Sequence, residues 1–422
     1  MGATATVGVP EKARQADSLP RVLALDAARG IAVLGMFVVH TGPNASFSDQ
    51  ASWLRFFEGR SSALFAVLAG VSVALLSGGD RPTHDRTRRG ALRIAVRAVL
   101  LVLLGLALAH LRSGIGVMII LAYYGLYFLC TLPLLRLRAR SLALIALVWA
   151  IAGPIASFLI RERIAESYLG NPAFDMFGTL EGLRNLAVEL LLTGVYPVLT
   201  WMPFVLAGMA LGRIGIRTVR PIAVLAAGAV LALLGHGGSW VAQQLLGGRA
   251  HLIAALVPEY AEYGFTDADL DAMLSIGSLG TVSTDSWWWL TIDAPHSGTP
   301  FDIFAVTGAA LLVTGVLLLI TPRAGVVLRP LISAGSCALS LYILHLVALW
   351  ALVPVPDYSD LENLPPLPGG IHAPGWSLLA LVAIGALVLA TLWRNVFRRG
   401  PAEWLLHRVS LGITKRAVPA SE

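Results

Sequence analysis

The chain has 422 residues, of which 56% are hydrophobic and only 13% charged, with a formal charge of +6. Soluble chains carry about 25% charged residues, so this one cannot coat a globule with polar surface. Its composition points to a polytopic membrane protein and away from a soluble, nucleic-acid-binding one.

Residues 1–21 are polar, carry Lys12, Arg14 and Arg21, and lack the apolar stretch of a cleavable signal peptide. They read as a cytoplasmic tail. A bilayer-crossing helix needs about 20 apolar residues. Ten stretches approach that length, at roughly 22–40, 61–77, 91–111, 115–135, 141–160, 195–213, 219–237, 301–320, 332–353 and 375–393. If the N-terminus is inside, 22 of the 31 lysines and arginines fall in inner segments, which satisfies the positive-inside rule at every turn. The predicted fold is therefore all-α, with about ten transmembrane helices and both termini cytoplasmic. The membrane domain covers 22–394 and a C-terminal tail 395–422. Long outer segments at 161–194, 238–300 and 354–374 form a cap. An integral membrane location is expected, and a homodimer is a candidate assembly.

The first span, "LDAARGIAVLGMFVVH" (Leu25–His40), carries Asp26, Arg29 and His40. At about 100° per residue these three fall in one sector of about 60°, together with Val33 and Phe37. Asp26 and Arg29 can pair, and His40 lies some 16 Å further along the axis. One helix face thus offers an ion pair near one membrane surface and an imidazole near the other. The bland alternatives are a structural pair in the first turn and an interfacial histidine. His345, within the ninth span beside Tyr342 and Ser340, is a second intramembrane ionisable group. Arg60 opens the second span, where it could stabilise developing negative charge or simply snorkel.

Later segments are less specific. Cys130 and Cys337 lie in apolar runs and form no disulfide framework or metal spacing. His110 and His236 each end a span on the outer side without a ligand pair on one helix, so no metal is expected. "TDADLDAML" (Thr266–Leu274) reads as a helix capped by Thr266, with Asp269 completing a capping box. Trp287 and Trp288 could stack on a sugar face or belong to an interfacial aromatic belt. Asn44, in "TGPN", is either a turn residue or an acceptor contact.

The first-span motif, followed by "EGRSSALFAVLAGVSVAL" (Glu58–Leu75) and "TGVYPVLTWMPFVLAGMALGR" (Thr193–Arg213), resembles the heparan-α-glucosaminide N-acetyltransferase-like membrane proteins. "SAGSCALSLYILH" (Ser333–His345) and "RRGPAEWLLHRVS" (Arg398–Ser410) resemble the C-terminal half of the related YeiB-like proteins.

The resemblance implies transmembrane acyl transfer from cytoplasmic acetyl-CoA, or another acyl-CoA, to a glycan, amino sugar or lipid-linked acceptor on the far side. It implies a catalytic histidine near the far end of the early spans. In lysosomal members that histidine lies in the loop after the first span. Residues 41–60 here contain none, so the role passes to His40. On this reading Asp26, Arg29, Arg60 and His345 support His40. Arg86, Arg88, Arg89 and Arg93 meet the coenzyme A phosphates, where a guanidinium fork suits phosphate oxygens, although such arginines also set topology and bind anionic lipid. Asn44, Trp287 and Trp288 contact the acceptor, and membrane lipid is the surrounding partner. The rival reading is a transporter or exporter without covalent chemistry.

Overall fold

The structure is a computed structural model, and it describes residues 22–43, 49–111, 117–164, 171–260, 266–353 and 373–417. Among the described residues the fold is all-helical, with no strand. Asn44, the tail 1–21 and most of the expected outer segment 354–374 lie outside them.

Helix α1 (Leu23–Thr41) stops at Gly42-Pro43, because proline cannot continue a helix and biases its predecessor to extended backbone. Helix α2 (Arg60–Leu76) starts after Gly59, whose φ of 68° suits glycine. Then follow α3 (His84–Leu111), α4 (Leu121–Thr131), α5 (Ala139–Arg161), α6 (Leu180–Val188) and α7 (Val198–Ile214). Helix α8 starts at Pro221 and runs through two π-type turns to Leu245. The outer lobe holds α9 (Gly248–Tyr260) and α10 (Asp267–Ile276). Helix α11 (Pro300–Ala324) is capped by Thr299, whose hydroxyl accepts from the Asp302 N–H. Last come α12 (Arg329–Ser336), α13 (Ala338–Leu352), α14 (Trp376–Val396) and α15 (Pro401–Ala417).

Among the described residues seven helices are long and apolar enough to cross a bilayer, and nine if two bent pairs each count as one span. The expected span at 115–135 is a shorter apolar helix, Leu121–Leu134. The expected span at 332–353 is two helices, α12 and α13, bent by 81° at Cys337. A Cβ on Gly335 would collide with the Asp26 carbonyl, so α12 presses directly on α1 just before the bend. The expected span at 195–213 is joined to α6 by a 54° bend across Gly194–Pro197. Helix α8 outruns its expected end at 237, so His236 lies within a helix. Gly235 there lets α8 approach the α11 backbone at Phe301 and Ala305.

The core is built on α2 against α7, where Gly70 faces Val205 and Gly208 faces Val67 backbone to backbone. Small residues at such crossings are the usual means of close packing in lipid, where no hydrophobic drive joins helices. Arg213, buried at one end of α7, donates to the carbonyls of Ala74, Gly79 and Leu135 and to the Ser77 hydroxyl. It ties together the bundle end that also carries Arg86, Arg138 and Arg220, called the arginine end below. The outer lobe closes on its own small core around Phe158, Leu252, Leu270 and Trp289. The Thr266–Asp269 capping box is present on α10, and Arg249 pairs with Asp267 and Asp271.

Candidate active site

The polar stripe of α1 faces protein. Asp26 is 1% exposed, and Val33 and Phe37 are fully buried. Arg29 pairs with Asp26 at 2.9 Å and donates to the Ser72 hydroxyl of α2 at 2.8 Å. At the opposite end of α1, His40 Nδ1 and His345 Nε2 share a hydrogen bond of 3.0 Å, with the rings stacked. His345 is 2% exposed and packed against Phe37 and Tyr342. Its Nδ1 is buried without a hydrogen-bond partner.

His40 lines a cleft of about 30 Å³ together with Gly59, Ser62, Tyr196, His296 and Tyr342. That is room for a water-sized group or two. Among the described residues no carboxylate and no arginine or lysine lines it. A second cavity, about 250 Å³, lies toward the arginine end and includes Arg29, Ser72, Arg97, Tyr124, Ser336 and Glu403 in its wall. Met36, Ile120 and Tyr342 line both cavities. They form the partition between the two, closed by a 3.4 Å hydrogen bond from the Ile120 N–H to the Tyr342 hydroxyl.

The sequence candidates divide accordingly. Arg29 lines the second cavity and His40 the cleft, while Asp26 and His345 line neither and are bonded to them from behind. Arg60 does not line the cleft; its guanidinium lies over the Phe56 ring. Arg86 and Arg88 are exposed at the start of α3, while Arg89 and Arg93 are half-buried. Trp287 packs on Phe158 and Trp288 stacks on His251, both within the outer lobe, and neither lines the cleft.

Sequence reasoning missed three residues. Arg97 projects into the lower cavity, with Arg93 and Arg399 close by. An arginine inside an apolar helix was the signal. Glu403 of α15 accepts from the Leu339 and Ser340 N–H groups, capping α13 where a helix favours negative charge. Near it, burial and the neighbouring Arg399, Arg97 and Arg93 push the His407 imidazole down to about 4, a mark of the positive field at this mouth.

The third is His296, in the loop before α11. It stacks on Trp201, meets Tyr196 edge-on and has a φ of 56°, unusual outside glycine. Burial pushes it down to about 4, so the ring is neutral at pH 7. Its Nδ1 is buried without a hydrogen-bond partner. The cap signature Thr299-Pro300…Asp302 marks where this loop ends, and could have drawn attention to a histidine three residues upstream.

The family model described as heparan-alpha-glucosaminide N-acetyltransferase, catalytic, matches residues 21–239, over half of the chain. The chain belongs to the heparan-alpha-glucosaminide N-acetyltransferase catalytic family. A second model, described as a protein of unknown function (DUF418), matches residues 271–413. No curated protein matches the chain. The family assignment and the apolar helices together make it an integral membrane protein of acetyltransferase type. The two matched regions meet at the site: His40 comes from the heparan-alpha-glucosaminide N-acetyltransferase region, and His296 and His345 come from the other. Among the described residues no group of histidines, cysteines and carboxylates is arranged to hold a metal ion.

Proposed function

We propose that this protein is a transmembrane acyltransferase of a bacterial plasma membrane. It takes an acetyl or short acyl group from acyl-CoA at the arginine end, which we orient to the cytoplasm. It passes that group to a glycan, amino-sugar or lipid-linked acceptor at the His40 end. The observation that carries this reading is the pair of cavities meeting end to end at Met36, Ile120 and Tyr342.

The residues fit such a donor. Coenzyme A is polyanionic, and its phosphates would stay at the mouth, among Arg93, Arg97 and Arg399. The lower cavity is mostly apolar and of a size for the slender pantetheine arm, not the nucleotide. Breaching the Tyr342 partition would bring the thioester to His40.

The histidine pair suits proton transfer. We assign the tautomer in which His345 offers Nε2 as the acceptor of the bond to His40. His40 then donates from Nδ1, and its Nε2 is left unprotonated. That nitrogen takes the proton of the acceptor amine or hydroxyl as the latter attacks the thioester carbon. The carbon–sulfur bond breaks, and the leaving thiolate takes that proton back from His40 to depart as the thiol. His296, neutral in the same cleft, supplies a second imidazole to position the acceptor. The same His40 nitrogen can instead carry the acyl group covalently in a two-step route.

Purified protein incubated with acetyl-CoA and an amino-sugar acceptor should release free thiol and form acetylated product. A His40→Ala variant that stays folded should do neither. Solute movement without thioester cleavage would establish the transporter reading instead.

A further inference from the structure

A further cavity belongs to neither of those two. A groove of about 350 Å³ opens on the flank of the bundle between α5, α7, α8 and α11. Its lining is rich in alanine, and Thr307 is the one polar side chain in it. On α7 the groove runs from Pro203 to Ile214, and on the α8 side from Val219 to Leu231. At about 1.5 Å per residue it is roughly 17 Å long. That is close to half of the ~30 Å hydrocarbon core, so the groove serves one leaflet, and Ile214 and Val219 place it at the arginine end.

Two further facts point to an occupant. The wall is apolar along the whole length of the groove, apart from Thr307, which suits hydrocarbon. The mouth is positive. Arg220 adjoins Val219, Arg140 lies about one turn before Ala143, and both are exposed. The N-termini of α5 and α8, the positive ends of their helix dipoles, lie at this same end.

We propose that the groove binds one anionic phospholipid of this leaflet. One acyl chain fills the slot, and the headgroup phosphate is held at Arg140 and Arg220. The site does not depend on the acyl-transfer reading.

The test is native mass spectrometry of the full-length protein, purified in a neutral detergent and titrated with dioleoyl phosphatidylglycerol or dioleoyl phosphatidylcholine. The wild type should retain one phosphatidylglycerol in preference to phosphatidylcholine. Arg140→Gln and Arg220→Gln should each weaken that retention about fivefold. Ala227→Phe, which adds bulk on an exposed wall of the groove, should abolish the tight adduct while the protein remains monodisperse on gel filtration. Equal retention of both lipids by wild type and all variants would overturn the proposal. So would a wild-type dimer that Ala227→Phe converts to monomer.

Discussion

His40 and His345 lie 305 positions apart in the chain, yet their ring nitrogens are 3.0 Å from each other. The two rings stack almost parallel, at 9°. The hydrogen bond ties the tautomer of one ring to that of the other.

His345→Ala should therefore lower kcat for acetyl transfer by about 10²- to 10⁴-fold, the usual worth of general acid–base assistance, with little change in KM for acetyl-CoA. His345→Gln, which keeps an acceptor at that height, should restore part of the rate. Steady-state kinetics of the two variants checks this. Equal activity of His345→Ala and wild type would remove His345 from the mechanism.

Arg97 lies in the wall of the donor-side cavity, and its Nε donates to the Ser410 hydroxyl at 3.4 Å. Replacing it with glutamine removes a charge that coenzyme A would meet. KM for acetyl-CoA should rise about tenfold or more, with kcat changed less, since charge-assisted contacts to phosphate are worth roughly twice a neutral hydrogen bond. Wild-type KM should rise with ionic strength more steeply than that of the variant.

Tyr342 closes the partition between the cavities through its hydroxyl contact to Ile120. Tyr342→Ala should join the two cavities and admit water. Acetyl-CoA hydrolysis without acceptor should then rise while transfer to acceptor falls. Tyr342→Phe, which keeps the ring, should leak less. Thiol release measured with and without acceptor distinguishes these outcomes.

His296 is held at about 4 in the fold by burial, against about 6.5 in the unfolded chain. Between those values the unfolded state binds more protons, so stability falls as pH drops from about 6.5 toward 4 and is unaffected by this group above that window. Thermal unfolding of the purified protein should show this acid loss. His296→Phe, which keeps a ring against Trp201, should flatten the profile.

Gly208 meets the Val67 backbone so closely that a Cβ would collide with the Val67 carbonyl. Gly208→Ala should push α2 from α7 and cost about 1–3 kcal/mol as overpacking. A lower Tm and loss of monodispersity on gel filtration would report it.

Much of this was legible in the chain itself. Spans are set by hydrophobic length and arginine placement, both one-dimensional properties, and the inward polar stripe of α1 followed from a 100° rotation per residue. Asp26, Arg29 and His40 could be put on one face because they share one helix. Capping is local too, so the Thr266 box was readable. Bends were not. The turn between α12 and α13 sits beside Gly335, which lies against the Asp26 carbonyl, a contact between segments about three hundred residues apart. The same holds for the site. Sequence could single out His40 and His345 separately. Their 3.0 Å approach, the arrival of His296 in the same cleft, and the placing of Arg97 and Glu403 beneath it come from helix packing, because long-range contacts leave no period in the chain. Helical periodicity alone therefore determined which residues face inward, and only the tertiary structure decided which inward-facing residues meet.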